Sequence, residues 1–131
     1  MPKSLRCLTW LDLLVCATLA TPLTAPAFLD LMHRLSSSLG WAAVFAPSAS
    51  GTFFVNLAGV LGTLWNVAML REVDMRLHAA DLAGRLAVAS LIVFHTLRSE
   101  LSPVFGLFVL TEAAGGLLKA RWIGKSSSLR S

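Results

Sequence analysis

From Gly51 to Leu70 the chain runs 20 residues, GTFFVNLAGVLGTLWNVAML, without a charged side chain. At the helical rise this stretch reaches about 30 Å, the thickness of a bilayer's hydrocarbon core. Three further apolar stretches accompany it, over about residues 8–29, 79–97 and 103–120, and the run itself is taken as the second span in chain order, about 52–70. Hydrocarbon offers no hydrogen bonds, so such segments must satisfy their own backbone groups, which for isolated apolar runs means helices. The sequence therefore predicts an all-α fold: a single integral membrane domain over residues 1–131, built as a four-helix bundle.

Composition supports lipid as the solvent. Hydrophobic residues make up 56% of the chain and charged ones 14%, with a mean hydropathy of +0.72. A soluble domain carries about 25% charged residues. The net charge of +4 raises the question of nucleic acid, but the basic residues form no stripe and sit at the ends of the apolar segments, so a nucleic-acid partner is not expected. The lipid bilayer is the expected partner, with a membrane-protein partner or a homo-oligomer as further possibilities. Cys7 and Cys16 make no CxxC and have no His-rich neighbourhood. They read as two reduced, small apolar residues, and no metal site is expected.

Pro22 and Pro26 fall late in the first span, where they should kink or end it. Asp30–Leu39 (DLMHRLSSSL) then reads as a short interfacial helix, followed by a loop through Trp41, Pro47 and Gly51. Pro103 suits the first turn of the fourth span, where a missing N–H costs nothing. The tail, 125–131 (KSSSLRS), is expected to be disordered.

Lys3 and Arg6 precede the first span, Arg71 and Arg76 separate the second from the third, and Lys119, Arg121, Lys125 and Arg130 close the fourth. The other side has only Arg34 and Arg98. The positive-inside rule then puts both termini in the cytoplasm. Trp10, Trp65 and Trp122 fall near the same side, as interfacial indoles do. A rival reading makes Lys3 to Ala20 a secretory signal cleaved after Thr18-Leu19-Ala20, against which stands Asp12 inside its apolar core.

Inside the spans sit Asp12, Asp81, Arg85 and Glu112, together with Asn56, Asn66 and His95. Each charge at mid-bilayer costs about 2.5–3.5 kcal/mol and needs a partner or a wet cavity. With the orientation above, all four charged groups and Asn66 occupy the cytoplasmic half. Asp81 and Arg85 share a helix face that continues through Val88 and Ile92 to His95. Asn56, Gly59, Thr63 and Asn66 line one small polar face of the second span.

The economical arrangement is a buried cluster of Asp12, Asn66, Asp81, Arg85 and Glu112, with Arg85 as the only cation deep enough to neutralise Glu112. Three carboxyls would then face one guanidinium, an excess that protonation of one acid would relieve. Such a cluster either locks helix register or forms the polar floor of an apolar pocket. His95 reads as an interfacial polar residue, and His33 and His78 as surface residues in loops. Small residues four apart (Ala58 and Gly62, Ala80 and Gly84, Ala83 and Ala87) favour close helix packing. The chain has no GxxxxGK[ST], GxSxG, HExxH or GxGxxG.

Four spans, an interfacial helix after the first, the Asn56/Gly59/Trp65 face, Asp81-xxx-Arg85 and Glu112 together resemble the DoxX-like small membrane proteins, over residues of about 8–120. The resemblance implies a bacterial inner-membrane four-helix bundle, in a family with members linked to quinone-dependent thiosulfate oxidation or oxidative-stress complexes. The chain departs from any redox role in lacking a CxxC.

The function expected first is binding of a lipophilic ligand, a lipid or a quinone, or service as an accessory subunit of a membrane complex. The alternatives are a small isomerase-type enzyme in which Asp81 and Glu112 exchange protons beside Arg85, and a transporter protomer active as an oligomer.

Overall fold

The computed structural model describes residues 1–41, 48–71, 74–98 and 100–128, without side chains for 126–128. The described residues form helices joined by turns, with no strand among them. In chain order they are α1 (Lys3–Leu19), α2 (Ala25–Ser38), α3 (Ala49–Arg71), α4 (Met75–Leu97), a 3-10 turn (Pro103–Phe105) and α5 (Gly106–Ser128). Among the described residues, three stretches are long and apolar enough to cross a bilayer: Ala49–Arg71, Met75–Leu97 and Pro103–Lys125.

The first apolar segment is not one span to Leu29. Its helix ends at Leu19, and Leu29 belongs to α2. Pro22 cannot continue the hydrogen-bond ladder, and three threonines take over the freed backbone. Thr24 Oγ1 donates to the Thr18 carbonyl at 2.5 Å and pairs with Thr21 Oγ1 at 2.8 Å. Pro26 lies in the first turn of α2, where its ring is tolerated. The second helix thus starts at Ala25, ahead of the interfacial helix expected from Asp30.

Gly51, expected in a loop, is helical within α3, and Pro47 lies outside the described residues. At the far end α5 continues to Ser128, past the expected start of a disordered tail, and 129–131 are outside the described residues. Among the described residues, three helix starts carry side-chain caps, the first being Ser48, whose Oγ accepts from the Gly51 N–H at 3.1 Å ahead of α3. Asp74 accepts from the Arg76 N–H at 2.9 Å, and Ser102 accepts from the Val104 N–H ahead of Pro103.

Two helix pairs build the fold: α1 lies along α3, and α4 along α5. The pairs meet where α1 touches α5. Although α3 and α4 are consecutive, they are not packed along one another. The α1/α3 contact is close because Gly59 lies against the backbone of Leu19 and Ala20; a Cβ there would come within 2.5 Å of the Leu19 carbonyl carbon. Asn56 Nδ2 closes the same junction by donating to the Leu19 carbonyl at 2.8 Å. The polar face of α3 is therefore its contact with α1. The alanines of the other small-residue steps, Ala80, Ala83 and Ala87, point outward instead, and Gly84 meets no neighbour.

Polarity is distributed as lipid requires. Among described residues the buried apolar set is only Leu5, Ala25, Met32, Met69 and Val104, whereas Thr9, Ser36, Asn66, His78, Asp81, Arg85, Ser102 and Lys119 are buried. Leu14, Phe53, Phe54, Leu64, Leu86, Leu91 and Leu110 lie on the outside. A water-soluble domain buries its leucines; a surface of this kind is at home in hydrocarbon, where packing and interhelical hydrogen bonds hold helices together.

Candidate functional site: a charged cluster beneath an apolar cavity

Helix periodicity puts His78, Asp81 and Arg85 on one face of α4, and Glu112, Gly115, Gly116 and Lys119 on one face of α5. These faces meet along the α4/α5 contact, and α1 brings Asp12 to the same place. Arg85 is the hub. Its Nε donates to Asp81 Oδ2 at 3.0 Å, Nη1 to Glu112 Oε2 at 3.0 Å and Nη2 to Asp12 Oδ2 at 2.5 Å. A planar guanidinium spreads its donors over three nitrogens and so reaches three carboxylates from three helices at once, whereas an ammonium gathers its donors on one atom. Gly115 makes this possible, since a Cβ there would sit 2.8 Å from Arg85 Nη1.

Asp81 is the second hub. Its Oδ1 accepts from Trp65 Nε1 at 2.5 Å, and its Oδ2 accepts from both Arg85 Nε and Lys119 Nζ. Both oxygens are engaged, so Asp81 holds α3, α4 and α5 together.

Sequence reasoning misplaces two residues here. Lys119 reads as a flank of the fourth span, but its side chain has no exposed surface and its ammonium meets Asp81 and, at 3.9 Å, Met69 Sδ. The cluster accordingly has two cations, and Arg85 is not alone in it. His78, expected on a loop surface, is fully buried on α4 with its ring 4.7 Å from that of Trp122, edge to face. The seven-residue step from Glu112 to Lys119 could have signalled the shared face; nothing in the sequence says which helix that face would meet.

The structure brings Asp12, Asp81, Arg85 and Glu112 into one network, but not Asn66. The Asn66 amide donates to its own helix at the Gly62 carbonyl (2.9 Å) and to Cys16 Sγ (3.8 Å). It borders the same cavity from another wall. His95 stands apart, paired through Nδ1 with Glu100 Oε2 at 2.7 Å on the exposed surface.

Above the cluster lies a cavity of about 710 Å³ lined from every helix. Asp12, Trp65, Asp81, Arg85 and Glu112 form its polar end. The walls are apolar, including Leu19, Val55, Val88 and Ile92, and the far end is aromatic. There Phe28 of α2, Phe105 of the 3-10 turn and Phe108 of α5 converge, with ring centroids 6.3 Å (Phe28–Phe108) and 6.1 Å (Phe105–Phe108) apart. A buried hydroxyl pair, Ser36 with Ser102 at 2.7 Å, fastens α2 over this end. Gly84 and Val88 line the cavity yet are exposed, on the side where α3 and α4 are not packed together. The volume is within the range of small-molecule sites.

No group of three or more His, Cys, Asp or Glu side chains able to hold a metal occurs among the described residues. Compared with known proteins, the chain matches no family model, no curated protein and no solved structure.

Proposed function

We propose that this chain is a four-span membrane protein that holds one lipophilic molecule in its central cavity, polar end down on the charged cluster. In this reading α1 is a fourth, shorter span completing the bundle, and α2 lies at the interface opposite the cluster. The carrying observation is the cavity itself: about 710 Å³ with apolar walls, a charged floor and an aromatic far end, open on the side of a lipid-facing surface. A void of this size lined by leucine, valine and phenylalanine has no use for water and every affinity for an acyl or prenyl chain. The gap between α3 and α4 gives such a chain a route from the bilayer.

In the same reading the chain is a DoxX-like bacterial inner-membrane protein, a resemblance that rests on the sequence positions Asn56, Gly59, Trp65, Asp81, Arg85 and Glu112. Arg6, Arg71, Arg76, Arg121 and Lys125 still mark one side as cytoplasmic after Lys119 is removed from the flanking set. Tags at both termini should therefore be shielded from protease in intact cells and cut in inverted membranes.

The binding reading is tested by extracting the protein in mild detergent and identifying by mass spectrometry what copurifies, beside a Gly84→Trp variant. Gly84 lines the cavity and a Cβ there meets nothing within 4 Å, so an indole can fill the space without displacing a neighbour. A single lipid or quinone species enriched in the wild type and lost in the variant is expected. Bulk-membrane composition in both would end the proposal.

A further inference from the structure

The cavity floor has a definite chemical sense. Each guanidinium nitrogen of Arg85 already donates to a carboxylate, and Lys119 is fully buried against Asp81 and Met69. The charge of each cation is already met by carboxylates of the cluster. The most open charged side chains of the cluster are instead Asp12 and Glu112, at 16% and 19% exposure against 7% for Arg85 and 5% for Asp81. Only one oxygen of each is used, Asp12 Oδ2 and Glu112 Oε2, both by Arg85. Among the described residues, Asp12 Oδ1 and Glu112 Oε1 accept no hydrogen bond. Three carboxylates face two cations, so the fully ionised floor carries a surplus negative charge.

Resting on the reading that the cavity holds an amphiphile, we propose that its occupant is a lipophilic amine bound as the ammonium. Its N–H groups donate to Asp12 Oδ1 and Glu112 Oε1, its charge balances the cluster, and its hydrocarbon tail runs past Val88 toward Phe108. A carboxylate or phosphate head would meet the same two acceptor oxygens and the surplus negative charge of the floor, and would be repelled. A neutral hydroxyl can donate to one oxygen but leaves the surplus charge unbalanced in a low-dielectric site, where such a charge is costly.

Native mass spectrometry of the full chain in detergent tests this, with n-dodecylamine, n-dodecanol and dodecanoate offered separately at equal concentration near neutral pH, where the amine is protonated. Dodecylammonium is expected to occupy the protein about tenfold more than either other amphiphile, a difference of about 1.4 kcal/mol. Gly84→Trp should abolish that adduct, and Glu112→Gln should erase the preference for the amine while its amide oxygen still accepts from Arg85. If Glu112→Gln does not stay monodisperse, Asp12→Asn reads the same effect from the other acceptor.

Equal or stronger binding of dodecanoate or dodecanol overturns the amine assignment. Should those adducts be displaced by Gly84→Trp, the cavity reading survives and only the amine is lost. Should no adduct respond to Gly84→Trp, both fall.

Discussion

Lys119 on α5 and Asp81 on α4 form an ion pair with essentially no contact with the surroundings of the protein: 0% of the lysine side chain and 5% of the aspartate are exposed. The pair ties α4 and α5 together at the level where Trp65 joins from α3. Asp81 is the carboxylate that meets the buried Lys119 ammonium, while Asp81 itself also accepts from Arg85 and Trp65.

Lys119→Met removes one of two cations and leaves Asp81 short of a donor. The expected loss is about 3–5 kcal/mol, as for other broken buried pairs. Adding Asp81→Asn to Lys119→Met removes the stranded charge and should recover part of that loss. Thermal denaturation in detergent, followed by size-exclusion chromatography, measures both. A single variant as stable as the wild type would show that the pair does not hold α4 to α5.

Arg85→Ala strands Asp12 and Glu112, leaves Asp81 with Lys119 and Trp65, and should yield no folded protein. Arg85→Lys keeps the charge but not the planar fork, so it should fold with a lowered melting temperature, because one ammonium cannot serve Asp12, Asp81 and Glu112 in their present positions. A Lys variant indistinguishable from the wild type would refute the role given to the guanidinium geometry.

Alanine at three glycines should act in graded fashion. At Gly59 the new methyl would press on the backbone of Leu19 and Ala20, which cannot move without parting α1 from α3. At Gly115 it would press on Arg85 Nη1, a side-chain end with some freedom. Gly124 has no neighbour within 4 Å, and alanine there should stabilise α5 by up to about 1 kcal/mol through propensity alone. The order of melting temperatures is expected to be Gly124→Ala highest, then Gly115→Ala, with Gly59→Ala lowest, costing about 1–3 kcal/mol or more. Any other order contradicts the helix spacing described.

Asn56→Leu keeps the side chain's volume and removes the donor to the Leu19 carbonyl at the end of α1. A loss of about 1 kcal/mol is expected, typical of interhelical hydrogen bonds in membranes. Faster amide exchange confined to the last turn of α1 would locate the effect, whereas uniform exchange through α3 would not fit.

The membrane-spanning character of this chain was legible from residues alone. A charge-free run such as Gly51–Leu70 has one way to satisfy its backbone in lipid, and the interval of three or four residues fixes which side chains share a face. So the Asp81/Arg85 pairing and the need of Glu112 for a cation could be deduced before any coordinates. Even the break after Leu19 is prefigured by Pro22, although the apolar character of the run continues to Leu29, which belongs to α2.

Tertiary structure decided which faces meet. Position along a helix gives depth and azimuth but not the neighbour across the gap, and for that reason Lys119 read as an interfacial flank and His78 as a surface residue. Only the apposition of α4 and α5 buries both, only Gly115 opposite Arg85 leaves room for the guanidinium fork, and only the separation of α3 from α4 opens the cavity above it. Local periodicity is encoded residue by residue, whereas the choice of partner is a property of all the helices packing at once.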